Sequence, residues 1–257
     1  MPALPVLRLS TALRSIAKPL TLLAATIATI AMISPANSSG QVRRTSSARP
    51  ATTPVQALRV TMGEGGSHIM GNPAAPVRLV EFVSYTCVHC SEFSTEAGAT
   101  LRNSYVAPGR ISLEVRHIVR DPVDMAMAVA TNCGAPARFF RRHDAMMAAH
   151  NAILNQVRTL PTATTDRWNQ TPLPSRLRMI ANDSGVTAWM RQQGFTPAAI
   201  TACMANTATQ ERLVQMSRSG LAAQVEGTPS FALNGHLLQN VYGWASLRPA
   251  LDTVLRP

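Results

Sequence analysis

The spacing of apolar and polar positions changes several times along this chain. Residues 77–83 (V-R-L-V-E-F-V) form a nearly unbroken run of β-branched and aromatic residues and predict a buried strand. From Ser91 the spacing becomes helical, with Glu92 and Glu96 early, so a helix follows directly. Pro108-Gly109-Arg110 is a turn, and residues 111–119 (I-S-L-E-V-R-H-I-V) alternate as a second strand, pairing in parallel with the first through the helical crossover. Residues 122–224 then read as a helical block rich in Ala and Met, broken at Gly134-Ala135-Pro136, over 161–174, at Gly185 and at Gly194-Phe195-Thr196-Pro197. Strand character returns at residues 230–233, Asn234-Gly235 is a two-residue hairpin signal, residues 236–241 come back antiparallel, and a helix over 244–255 closes the chain. Ahead of the first long strand, His68 to Pro73 suits a short edge strand and turn.

The N-terminal segment has a different character. Arg8, Arg14 and Lys18 precede an uncharged stretch over 19–33, and Ser34-Pro35-Ala36 supplies small residues, so residues 1–36 read as a secretory signal peptide cleaved after Ala36. The alternative is an uncleaved anchor, but the apolar run is shorter than the roughly 20 residues that span a bilayer. Residues 37–66 are expected to be a flexible linker: Ser, Thr, Pro and Ala dominate to Thr61, and Gly63-Glu64-Gly65-Gly66 ends it. So short a segment cannot supply a separate dimerisation domain. The folded domain is expected over 67–257, in the periplasm.

Net charge is +11, or about +8 without the three basic residues of the signal. Nucleic acid is not an expected partner, because the charge is almost all dispersed arginine with no aromatic interleaving.

Cys87-Val88-His89-Cys90 stands at the junction of the first strand and its helix, the context in which Cys-x-x-Cys performs thiol-disulfide chemistry. Helix N-termini present unpaired N–H groups and favour a thiolate, so the pKa of Cys87 should be depressed, with His89 assisting as cation or hydrogen-bond donor. Cys90 is placed to resolve a mixed disulfide at Cys87. No second Cys-x-x-Cys or paired-His motif completes a metal tetrad, so no metal or other cofactor is expected. In an oxidising compartment the remaining Cys133 and Cys203 form an economical structural disulfide, stabilising by about 4 kcal/mol through loop entropy; two free buried thiols are the alternative. Phe139, His143, Met146, Met147 and His150 share a helical face that suits either copper or ordinary core packing.

Strand, Cys-x-x-Cys helix, strand, helical block, proline-led hairpin and helix together resemble the DsbA-like family of periplasmic disulfide oxidoreductases. The resemblance covers residues 70–255 and rests on Gly71-Asn72-Pro73, Cys87-Val88-His89-Cys90 and Gly227-Thr228-Pro229-Ser230-Phe231 in that order. It implies an α/β thioredoxin-like fold with an inserted all-helical subdomain at about 122–224. It further implies that Cys87 is the nucleophile, Cys90 the buried resolving cysteine, and His89 the histidine that stabilises the thiolate. Pro229 would be a cis-proline beside the site, Thr228 would offer backbone to a client peptide, and Glu81 would be a buried acid trading a proton with Cys90. For Glu81 a charge on a sheet edge is the alternative.

The implied partners are reduced, unfolded exported proteins and a membrane DsbB-like, quinone-linked oxidase. Val88 stands where proline is common in the family, and Thr228 where several strong oxidases carry valine; both tune potential and client release. The expectation is a monomeric oxidase, with a reductase or isomerase using the same site as first alternative and a periplasmic metal-binding or chaperone module as second.

Overall fold

The computed structural model describes residues 58–256, so the expected signal peptide and the linker as far as residue 57 lie outside the described residues. Six strands form one sheet in the order β1-β2-β4-β3-β5-β6: β1 Val60–Met62, β2 His68–Met70, β3 Val77–Val83, β4 Ile111–His117, β5 Ser230–Leu233 and β6 His236–Leu237. Only β3 and β4 run parallel, joined by helix α1 (Val88–Thr100) and a π-helical turn; every other neighbouring pair is antiparallel.

The largest differences from the sequence reading fall at two boundaries. The expected linker to residue 66 stops short, because Val60–Met62 pairs with Met70–His68 and forms the outermost strand, making β2 an inner one. Three residues of ladder escape a composition argument that averages over a longer Ser/Pro-rich stretch. The returning strand expected over 236–241 is only His236–Leu237, followed by one more bond from the Leu238 N–H to the Phe231 carbonyl, and the chain then turns, with Asn240 at a positive φ of 60°. The hairpin turn itself has Asn234 and Gly235 at φ 50° and 90°, which matches the right-handed twist of its strands.

β3 is buried along its length except at Arg78, because both faces of the sheet are covered. Its odd positions, Leu79, Glu81 and Val83, face the main core with Leu113, Val115 and Phe231. Val80 and Phe82 face a smaller cluster with Ile118, Val225 and Ala232 on the reverse side.

The helical insertion runs from α2 (Pro122–Asn132) through α3 (Phe139–Arg158), α4 (Thr162–Gln170), α5 (Leu173–Asp183), α6 (Val186–Gln192) and α7 (Pro197–Met204) to α8 (Thr207–Ala222); α9 (Trp244–Val254) closes the fold. α2 is its hub, touching α3, α5, α6, α7 and α8. Small residues permit this, since Ala126, Ala128 and Ala130 are fully buried and let five helices approach closely. Cys133, at the end of α2, is disulfide-bonded to Cys203 in α7, with Cα atoms 5.8 Å apart across 70 residues of sequence. The Met/His stripe of α3 is its buried face: His143 Nδ1 lies 3.0 Å from the Tyr85 hydroxyl and His150 Nδ1 lies 2.8 Å from the Tyr85 carbonyl oxygen. Among the described residues no helix is long and apolar enough to cross a membrane.

Candidate active site

Cys87 is the N-cap residue of α1, with an extended backbone (φ −92°, ψ 119°). Its sulfur therefore occupies the position where a Ser or Asp oxygen would receive the free N–H groups of the first turn. The protonated thiol donates to the Thr228 carbonyl at 3.0 Å. Once the proton leaves, that carbonyl offers the anion nothing, and other donors take over. The Cys90 thiol is the largest contributor, burial opposes it, and the Thr228 side chain and the backbone N–H groups of Cys90 and His89 add to it; the Cys87 thiol is held down to about 4. Cys90 is fully buried and its thiol is pushed up strongly, first by burial and then by donating to Cys87. The two sulfurs have opposite tasks: one is an anion at the surface edge, the other a proton holder behind it.

Thr228-Pro229 is a cis peptide bond, and its loop faces Cys87 across the start of β5. A groove of about 540 Å³ runs from Cys87 and Thr228 past Ile118, Val119, Leu221 and Val225. Leu221 and Val88 are 61% and 45% exposed, so apolar surface surrounds the reactive sulfur.

Glu81 lies in the middle of β3, opposite Val115 on one side and Phe231 on the other, so it is not on a sheet edge. Its carboxyl is raised to about 8, chiefly by burial and then by the nearby Asp144 charge, and Oε1 has no hydrogen-bond partner among the described residues. A water-sized cavity of about 20 Å³ opens from it toward Arg102 and Asp144, which form an ion pair at 2.8 Å. At neutral pH Glu81 is thus a protonated acid within the same core as Cys90.

His89 does not meet the expectation set for its side chain. The imidazole turns outward, with Nδ1 3.0 Å from Glu92 Oε2 and both side chains largely exposed. Spacing of three along a helix places that carboxylate beside the ring, and only the backbone N–H of His89 serves the thiolate.

Residues that sequence reasoning missed hold the loop before Cys87. Asp124 accepts from the Ser84 hydroxyl and the Tyr85 N–H, Asp121 accepts from the Thr86 hydroxyl, and the His150 ring meets the Tyr85 carbonyl. The helical block was expected to open at residue 122, but nothing local revealed that Asp121 and Asp124 reach across to the cysteine loop.

A family model described as thioredoxin matches residues 64–253. A relative in Rickettsia conorii named protein-disulfide oxidoreductase is 25% identical over 228 residues, covering 87% of this chain and 74% of its own length. One of the same name in Rickettsia bellii is 24% identical over 188 residues, covering 73% and 64%. The solved structure of a protein-disulfide isomerase from Novosphingobium aromaticivorans is 39% identical with TM-score 0.72, covering 75% of this chain and 98% of its own. Wolbachia pipientis alpha-DsbA1, at 15% identity and TM-score 0.58 over 76% of this chain and 93% of its own, shares the fold. A redox pair capping the crossover helix of such a sheet, with a helical block inserted after β4, agrees with all of these, and the chain belongs to the thioredoxin family, among the DsbA-like protein-disulfide oxidoreductases.

Proposed function

We propose that this protein is an oxidase that introduces disulfides into reduced, unfolded exported proteins. The observation that carries this reading is the placement of Cys87 at the N-cap of α1 against the Thr228 loop, a position that favours its thiolate. Stabilising the thiolate stabilises the reduced form, so the Cys87–Cys90 disulfide is a good electron acceptor. A client thiolate attacks Sγ of oxidised Cys87, the Cys87–Cys90 bond breaks, and Cys90 leaves as a thiolate. Buried Cys90 must then take a proton, and Glu81, neutral up to about pH 8, is the acid to supply it. A second client thiolate attacks the client sulfur of the mixed disulfide and expels Cys87 as a thiolate. Two electrons have passed from client to enzyme, and no cofactor is needed.

The groove beside Cys87 would receive the client, with Thr228 in its lining, exposed Val88 next to Cys87 in the chain, and Pro229 keeping the loop against the sulfur. Reoxidation requires an acceptor, for which a membrane DsbB-like, quinone-linked oxidase fits the periplasmic setting implied by the N-terminal sequence; the working unit would be a monomer. The relative titled protein-disulfide isomerase favours a second reading, in which the same site stays reduced and reshuffles disulfides. Oxidised protein mixed with a reduced, unfolded client separates them. Oxidation at stoichiometry one, lost in Cys87→Ser, supports the oxidase; rescue of a scrambled client by the reduced form alone, without net oxidation, supports the isomerase.

A further inference from the structure

Three residues lie between β3 and the N-cap Cys87 of helix α1, and one group of each, the Ser84 hydroxyl, the Tyr85 N–H and the Thr86 hydroxyl, is held by an acid 35 to 40 positions later. Asp121 caps α2 with one oxygen, accepting the Val123 and Asp124 N–H groups at 2.8 Å, and its other oxygen accepts the Thr86 hydroxyl at 2.7 Å. Asp124, 1% exposed, accepts the Tyr85 N–H at 2.9 Å on Oδ1, and on Oδ2 the Ser84 hydroxyl at 2.7 Å and the Arg120 N–H at 3.0 Å. The third of these partners matters as much as the first two. Arg120 follows Ile118 and Val119, and the three line the groove that contains Cys87 and Thr228. One carboxylate therefore joins the loop that presents the reactive sulfur to the wall that a client would touch.

We propose that Asp124 is a positioning residue for thiol exchange, holding the Ser84–Thr86 loop so that the N–H groups of His89 and Cys90 aim at Cys87 Sγ, and keeping the groove wall in register with that sulfur. This deepens the thiol-exchange role proposed above and rests on it. The chemistry at the position calls for a carboxylate. Burying one is costly, and a neutral side chain would serve a purely structural corner better. An amide in its place would keep the acceptor for Tyr85 but turn an NH₂ toward the Arg120 N–H, donor against donor. His150 holds Tyr85 only at its carbonyl and reaches neither Ser84 nor Arg120, so it does not duplicate the link.

The test compares Asp124→Asn and Ser84→Ala with wild type, using the full chain. Three quantities are measured: the Cys87 thiolate pKa by absorbance at 240 nm, the equilibrium constant against glutathione, and oxidation rates for glutathione and for a reduced cysteine peptide with apolar flanks. Asp124→Asn should raise the thiolate pKa by about half a unit or more and lower the glutathione constant about threefold or more. It should slow the peptide more than glutathione, because only the peptide uses the groove wall. Ser84→Ala removes one of three donors and should move all three readouts the same way by less. A folded Asp124→Asn with wild-type thiolate pKa and wild-type equilibrium constant would overturn the proposal, as would an unfolded Asp124→Asn accompanied by a Ser84→Ala that changes nothing. A wild-type protein that oxidises neither thiol would instead overturn the exchange reading itself.

Discussion

Glu81→Gln isolates the energetic cost of the buried acid. The folded chain holds the Glu81 proton to about pH 8, whereas an ordinary carboxylate loses it at 4.5. A carboxyl whose pKa is raised on folding binds its proton more tightly in the folded state. Stability is therefore full below the unfolded value and drains away as pH climbs toward the folded one. With 1.36 kcal/mol per unit, the penalty is under about 1 kcal/mol at pH 5 and about 3 kcal/mol at pH 7, levelling near 5 kcal/mol above pH 8. Glutamine has the same shape, keeps the core filled and cannot ionise. Urea unfolding of Cys87→Ser/Cys90→Ser protein, with and without Glu81→Gln, removes thiol titration from both arms. The glutamine variant should gain about 2 to 3 kcal/mol over its parent between pH 5 and pH 7. A stability difference that stays flat across that interval would refute the buried neutral acid, and with it the proton supply to Cys90.

Cys90→Ala should raise the Cys87 thiolate pKa by more than about one unit by absorbance at 240 nm, because the Cys90 thiol is its strongest donor, while Cys90→Ser should raise it less. Replacing Cys133 and Cys203 by alanine should cost about 2 to 4 kcal/mol in denaturant unfolding and leave the Cys87 thiolate pKa unchanged, since the disulfide joins α2 to α7 in the helical insertion. Gly220→Ala pushes Ile118 Cδ1, the movable end of a side chain on the groove, and should change stability by less than about 1 kcal/mol, since the helix propensity gained offsets the repacking, while reducing the oxidation rate of a peptide client more than that of glutathione.

What could be read from the chain was whatever local spacing determines. The strand ahead of Cys87, the helix after it and the Asn234-Gly235 turn each follow from neighbours a few positions apart. What escaped depends on contacts between distant segments. Asp124 is an unremarkable first-turn acid until the fold carries it to Ser84 and Tyr85, and His150 belongs to an apolar stripe until it meets the Tyr85 carbonyl. The role expected of His89 failed for the opposite reason, since a neighbour three residues along, Glu92, takes the ring. β1 was hidden by composition, because the three residues of a short outer strand carry too little pattern to stand out from the Ser/Pro-rich stretch before them.

The reduction potential of the Cys87–Cys90 pair, set by equilibration with glutathione at pH 7, bears most directly on oxidation as the direction of electron flow. Against a thioredoxin-like thiol of pKa about 7, a thiolate held near 4 stabilises the reduced form by about 4 kcal/mol, or about 80 mV for two electrons. Solvent screening at the partly hydrated sulfur removes up to roughly half of this. Starting from about −270 mV for thioredoxin, the expected potential lies between about −230 and −190 mV. A value at or below about −270 mV would contradict the oxidase and make the pair a reductant.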